Sequence, residues 1–388
     1  MKKIISAAFL ICLVLGFCLN PKPCLSANLA GKEVVIGWLE PFTGMGAAYG
    51  EEDSVTIKIA LEEINGSGGV GGLPLRIIKY DTAWKGDQAI AMLKKLAQTD
   101  NVLAVMGPYS SAECEVTFPV ANMLKIPIIT SSGAAPGIEK NRPWGFRNCM
   151  TLAKTLGPAF DKWVEMYKVK TIAKIYENTD FLCSSEATRI LPPLLKKHNI
   201  QEVAVQTFAK RDINFMAQVS AMKAANPEGI WLSAIYEEGA NIVREIRRQG
   251  MTQPIIAGIG ITGPIFIRLG GKATEGVVQP SNFWADNPDP KVQEFVKKWS
   301  AGYKGQIPPH YTANIYETVY ILKHVIETSG VTNKPEDLDK DREKIMKGLS
   351  ELKDFPGLGL KITIGPDGDA RKLSYVLQVK EGRWVRID

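Results

Sequence analysis

Short apolar runs rich in β-branched residues alternate with longer amphipathic stretches from about residue 34 to about residue 280, a pattern that predicts parallel sheets with helices on both faces. Strands are expected at 34–38, 75–80, 102–106 and 127–130, with helices between them. The helix over 48–65 carries Val55, Ile59 and Ile64 on one face and stops at Asn65-Gly66-Ser67-Gly68-Gly69. After Arg147 a second series begins, with helices at 151–166, 184–197, 214–225 and 238–249 alternating with strands at 171–176, 202–208, 229–233 and 254–258. Two such series predict two similar lobes. Beyond Val278 the pattern changes to long helices at 290–303 and 312–329. A hairpin-like end follows, with turns at Gly365-Pro366-Asp367-Gly368 and Glu381-Gly382. There is no repeat with a period of about 20–50 residues.

The first residues stand apart. Met1, Lys2 and Lys3 precede an apolar run from Ile4 to Leu19, then Pro21, Pro23, Ser26 and Ala27, which reads as a cleaved secretory leader over 1–27. The run is shorter than the roughly 18 apolar residues a membrane span needs. Phe17 and Pro23 precede Cys18 and Cys24 where a lipoprotein signal places a small residue, so no lipid anchor is expected and the mature protein is expected in the periplasm, as a monomer. Loss of Lys2, Lys3 and Lys22 leaves 44 basic and 41 acidic residues, a balance of +3 that does not suggest a nucleic-acid partner. Cys114, Cys149 and Cys183 remain. They allow a Cys114–Cys149 disulfide or three buried thiols. His198, His310 and His324 are scattered, so neither a metal nor a cofactor is expected.

In open parallel sheets ligands bind at loops leaving the C-terminal ends of strands. Here those loops are rich in Gly, Ser and Pro: 40–50, Gly107-Pro108-Tyr109-Ser110-Ser111, and Thr130-Ser131-Ser132-Gly133-Ala134-Ala135. Ser110 and Ser111 open a helix, where free N–H groups favour a carboxylate, although plain N-capping explains them equally well. Gly258-Ile259-Gly260-Ile261-Thr262-Gly263 fits the dinucleotide fingerprint in spacing, but the acidic residue expected further on is missing, and a cleft loop explains the same glycines. No Gly-x-Ser-x-Gly elbow occurs, and no histidine is placed to act as base to Ser111.

With its loops in this order, the chain resembles the leucine/isoleucine/valine-binding protein family, the type I periplasmic solute-binding proteins of branched-chain amino acid importers. The resemblance rests on Val34-Val35-Ile36-Gly37-Trp38-Leu39-Glu40-Pro41-Phe42-Thr43-Gly44 with Tyr49-Gly50, on Ala60-Leu61-Glu62-Glu63-Ile64-Asn65 followed by Gly68-Gly69-Val70 and Gly72, and on the two serine loops. Tyr311, Ala313 and Tyr316 add to it. It implies two Rossmann-like α/β lobes joined by a three-crossover hinge with the ligand cleft between them. One lobe would comprise 28–147 plus 279–363, the other 148–278 plus 364–388. It further implies that Ser111 holds a ligand carboxylate and that Ser132, Gly133 and Ala134 contact carboxylate and ammonium. Ala134 stands where these binders usually carry Thr. The second-lobe acid that pairs with the ammonium falls at Ile259 or Gly260, so Glu177, Asp180 or Glu237 must substitute, or the ligand has no ammonium. Trp38, Tyr109, Phe181, Tyr236, Phe283 and Trp284 are candidate walls for an apolar or aromatic ligand body, although aromatic residues near strand ends also pack as core.

The expected function is capture of a small carboxylate, an amino acid or an aromatic acid, by hinge closure, for an ABC permease in the inner membrane. The protein would not be an enzyme. A ligand-sensing subunit for a membrane receptor is the alternative, and an NAD-dependent enzyme, resting on 258–263 alone, a remote one.

Overall fold

The computed structural model describes residues 29–261 and 263–388; the expected leader lies outside the described residues. Five parallel strands form the first sheet: β1 (Val34–Glu40), β2 (Leu75–Asp81), β3 (Val105–Met106), β4 (Ile128–Thr130) and β5 (Gly145–Arg147), in the order β2-β1-β3-β4-β5. Strand alternation sends Val34, Ile36 and Trp38 to one face, where they meet Ile315, Val319 and Leu322 of the helix His310–Thr328. Leu39 and Val105 face the other way, into a cluster with Leu93 and Phe118.

The second sheet repeats the winding. β6 (Thr171–Glu177), β7 (Gln201–Phe208), β8 (Gly229–Ser233), β9 (Ile255–Ala257) and β10 (Val278–Ser281) run parallel in the order β7-β6-β8-β9-β10. Within β8, Ile230 and Leu232 join a core with Val243 and Ile246, while Trp231 between them packs on the opposite side with Phe160 and Trp163. The chain then crosses back through the helices Pro290–Gly302, His310–Thr328 and Leu338–Ser350. A small sheet follows, of β11 (Phe355–Pro356), β12 (Lys361–Ile364) and β13 (Ala370–Arg371), whose Ile362 and Ile364 complete the first core. Finally β14 (Tyr375–Lys380) and β15 (Arg383–Arg386) add an antiparallel hairpin to the edge of β10, turning at Glu381-Gly382, both with positive φ as a tight hairpin turn requires.

Some elements differ from expectation. β10, where the expected division at 278/279 falls, runs in the second sheet. The helix Leu338–Ser350 was not expected. The predicted helix 184–197 is three pieces, Phe181–Ser185, a π turn over Glu186–Ile190, and Leu191–His198, because Pro192 and Pro193 have no N–H to donate back along the helix. Cys114, Cys149 and Cys183 are all buried free thiols, so of the two cysteine readings the structure has the reduced one.

Candidate functional site

In both sheets the winding reverses beside the first strand of the series, between β1 and β3 and between β6 and β8, and loops leaving such a switch point splay to form a crevice. The two crevices share one cleft. Its first-sheet side carries Tyr49, Trp84, Tyr109, Ser110, Ser111 and Ser132; its second-sheet side carries Asp180, Leu182, Ile235, Ile259 and Gly260; His310 and Tyr311 close one end. The enclosed volume is about 50 Å³, room for a water or two, so the lobes stand closed and a larger ligand requires them to part.

The serine loop is built by its turn. Gly107 has φ +92°, and a Cβ there would lie 2.1 Å from the Leu39 carbonyl, so only glycine lets the chain leave β3 this close to β1. The chain then enters the helix Ser111–Leu124 through a capping box. The Ser110 hydroxyl donates to Glu113 Oε2 (2.6 Å) and accepts from the Glu113 N–H (3.2 Å), while the Ser110 N–H donates to Glu113 Oε2 (3.1 Å). Ser110 is therefore occupied with the helix. Ser111 Oγ accepts from the Ala135 N–H (3.1 Å), which leaves its hydroxyl hydrogen to donate at the helix N-terminus. The next loop is fixed by Thr130 Oγ1, which accepts from the Ser132 and Gly133 N–H groups, and by Arg147, which donates to the Gly133 and Ala135 carbonyls.

Aromatic rings fill the space between. Tyr49 stacks on Tyr109 at 4.5 Å and on Trp84 at 5.8 Å; Tyr311 meets Tyr49 edge-on at 5.1 Å, and Tyr236 reaches across from the second lobe to Tyr49 at 5.3 Å. The Tyr311 hydroxyl hydrogen-bonds buried Glu52, whose carboxyl burial pushes up to about 7. In the second lobe Asp180 caps the helix Phe181–Ser185, its Oδ1 accepting from the Cys183 N–H (2.9 Å). It is the carboxylate on the cleft wall; Glu177 bonds Thr179 and Glu237 is exposed. Ile259 donates its N–H to Glu186 Oε1 (2.9 Å) from the loop that starts at Gly258, where a Cβ would lie 1.8 Å from Glu186 Oε2. Burial pushes the Glu186 carboxyl up to about 8.

These carboxyls set a pH dependence. Between pH 6.5 and 8 the folded chain holds protons on Glu186 and partly on Glu52 that the unfolded chain has already released, so stability falls as pH rises. His310, pushed down to about 3 by burial, is neutral in the folded chain but about half protonated in the unfolded chain at pH 6.5, so it opposes the trend weakly near that end of the window, by less than the Glu186 contribution. Thermal unfolding is therefore expected at lower temperature at pH 8 than at pH 6.5, with a smaller difference in Glu186→Gln. Equal slopes in the two proteins would remove Glu186 from this account.

Of the expected site residues, Tyr109, Ser110, Ser111, Ser132, Ile259 and Gly260 line the cleft, and Tyr236 packs at its edge. Trp38 does not: alternation along β1 places it in the first core, its Nε1–H donating to Glu40 Oε2 (3.1 Å). Gly133 and Ala134 are buried behind the loop, the glycine packed against Cys114 and the alanine in the second lobe's core. Phe181 packs across the cleft on the first lobe's apolar cluster, with Arg189 over its ring at 5.4 Å. Phe283 and Trp284 belong to the hinge side, Phe283 edge-on to Phe295 at 6.0 Å. Sequence reasoning missed Tyr49, Trp84, Leu182, Ile235, His310 and Tyr311 as wall residues. Tyr49 and Tyr311 were in the family motifs and carried a usable signal.

Two α/β lobes of matching winding, closed on a narrow crevice between their strand ends, define a bilobal binding protein. The chain belongs to the periplasmic binding protein family, whose profile matches residues 33–383. It is 28% identical over 308 residues to an amino acid binding protein of Pseudomonas aeruginosa, covering 78% of this chain and 80% of that one. The fold matches the crystal structure of a leucine binding protein, LivK, of Thermotoga maritima (TM-score 0.82, 26% identity, 92% of this chain and 98% of that one). It also matches that of LivJ, a branched-chain amino acid transporter substrate-binding protein of Streptococcus pneumoniae in complex with isoleucine (TM-score 0.81, 22% identity, 92% and 100%). These relatives are binding proteins, not enzymes. Among the described residues no His, Cys, Asp and Glu group could hold a metal, and no helix is long and apolar enough to cross a membrane.

Proposed function

We propose that the protein captures an α-amino acid with an apolar side chain outside the cytoplasm and delivers it, as a monomer, to the permease of an ABC importer of the branched-chain amino acid type. The observation that carries this reading is the placing of Asp180 in the same cleft as Ser111. The Ser111 hydroxyl and helix N-terminus suit a carboxylate, Asp180 across the cleft suits the ammonium, and the ring cluster of Tyr49, Trp84, Tyr109 and Tyr311 suits the side chain. Asp180 thus supplies what Ile259 and Gly260 cannot. The relatives named for leucine and for amino acids support the same ligand class. A ligand touching both lobes holds them closed, and closure is the state a permease can distinguish.

A second reading, an aromatic acid without an amine, is favoured by the tyrosines and tryptophan of the cleft. Calorimetric titration with leucine, phenylalanine and benzoate separates the two. Binding of leucine or phenylalanine supports the amino acid reading, binding of benzoate alone replaces it with the second, and no binding of any of the three overturns both.

The two serines should separate as well. Ser111→Ala is expected to weaken binding by about 1–3 kcal/mol with little change in melting temperature, because the hydroxyl serves the ligand. Ser110→Ala is expected to destabilise the fold by about 1 kcal/mol, because its hydroxyl serves the helix. Titration and thermal unfolding of both variants check this; a reversed pattern would exchange their roles.

A further inference from the structure

Beyond His310, on the hinge side of the cleft, lies a second and larger cavity of about 380 Å³, within the size range of small-molecule sites. Gln279 of β10 and Leu377 of β14 line it from the second sheet, with Trp384 of β15 beside them. Trp284, on the crossover after β10, and Ile307 and Pro308, leading into the helix His310–Thr328, line it from the other side. The walls are mainly apolar. The charged side chains that reach the cavity, Arg268, Asp286 and Arg383, are exposed residues.

Polar atoms without a protein hydrogen-bond partner gather around this cavity. Gln279 is 0% exposed, and neither its amide nitrogen nor its amide oxygen is bonded within the chain. Trp284 Nε1, Gln306 Oε1 and His310 Nδ1 are in the same condition. Buried polar groups are almost always paired, and one left unpaired carries the full cost of its lost hydration. In the middle of a buried sheet a leucine would fill the place of Gln279 without that cost. A primary amide offers a donor and an acceptor side by side, and its natural complement is another group of the same pattern. The imidazole of His310 is neutral at ordinary pH, since burial pushes it down to about 3, so it adds no charge to the site.

We propose that this cavity is a second ligand site, for an uncharged molecule with an apolar body and a carboxamide-type head that pairs with Gln279. Such a molecule would touch the second sheet on one side and the segment leading to Tyr311 of the first-lobe ring cluster on the other. It would therefore bridge the lobes from behind and be coupled to whatever closes them in front. The inference is independent of which ligand the cleft takes.

Benzamide is the probe, titrated into the purified protein by calorimetry and followed by saturation-transfer NMR. The wild type is expected to bind it saturably in the millimolar range or tighter, and Gln279→Leu to lower the affinity at least tenfold. Gln279→Leu should fold, because it replaces an unpartnered amide with an apolar side chain of similar length. Ile307→Trp, at a position 41% exposed at the mouth, gives a second block that does not touch the core and is expected to lower the affinity as well. Absence of saturable benzamide binding by the wild type, or undiminished binding by these variants, would overturn the proposal.

Discussion

Asp180→Asn is expected to weaken leucine binding by about 2–5 kcal/mol, the usual cost of removing one partner from a buried, hydrogen-bonded charge pair. The residue is 8% exposed and lies in a cleft whose other walls are rings, aliphatic side chains, serines and a neutral imidazole. Among the described residues no second carboxylate lines the cleft wall. Asparagine caps a helix as well as aspartate does, so the Cys183 N–H keeps its acceptor and the fold should be unaffected. Calorimetric titration of both proteins with leucine and with benzoate measures the effect. Loss confined to leucine assigns the charge of Asp180 to the ammonium. Equal loss of both ligands would mean that the substitution acts on cleft shape, and unchanged leucine affinity would end the role.

Glu317→Ala is expected to destabilise the whole protein by about 3–5 kcal/mol, because it leaves the Lys372 ammonium buried without its counter-charge. The side chains of this ion pair are 4% and 0% exposed. Around it the three crossovers converge on one helix. Asn148, following β5, donates to the Asn314 carbonyl (2.8 Å); Asn282, following β10, donates to Asn314 Oδ1 (2.7 Å); Lys372, preceding β14, donates to Asn314 Oδ1 (3.0 Å) and to Glu317. Asn314 Nδ2 in turn donates to the Ser131 carbonyl beside the cleft (2.9 Å). Replacing Glu317 and Lys372 together by methionine should recover most of the loss, since no lone charge then stays buried. Urea unfolding of the single and double variants measures both effects; a single variant as stable as the wild type would show that the pair contributes nothing.

Much of this architecture was legible in the chain. The alternation of β-branched runs with amphipathic stretches gave two winding series, and the structure has two sheets of the same strand order. β5 and β10 were not legible, because they are defined by their neighbours across the sheet and carry no periodicity of their own in three or four residues. At the site, the glycine and serine loops could be read because turns and helix starts demand particular residue types, and Tyr109, Ser110, Ser111 and Ser132 do line the cleft. Trp38 could not be placed from its position near a strand end. Its partners Val34 and Ile36 show that the period of two along β1 turns it inward. Trp84 follows Ala83 with both φ values positive, a loop geometry that no pattern of apolar residues announces. Of the three acids that the sequence offered, Glu177, Asp180 and Glu237, the choice of Asp180 as the one on the cleft wall needed the cleft itself.

The threefold crossing has a further consequence for handling the molecule. Neither lobe is a contiguous piece of chain, so truncation after β5 would remove the helix His310–Thr328 and β12, which complete the first core, and should yield no folded fragment. A single protease cut in one crossover is a different matter. The two intact strands of chain and the shared anchor at Asn314 and Glu317 would hold the pieces together, and the nicked protein should travel as one particle until it is denatured.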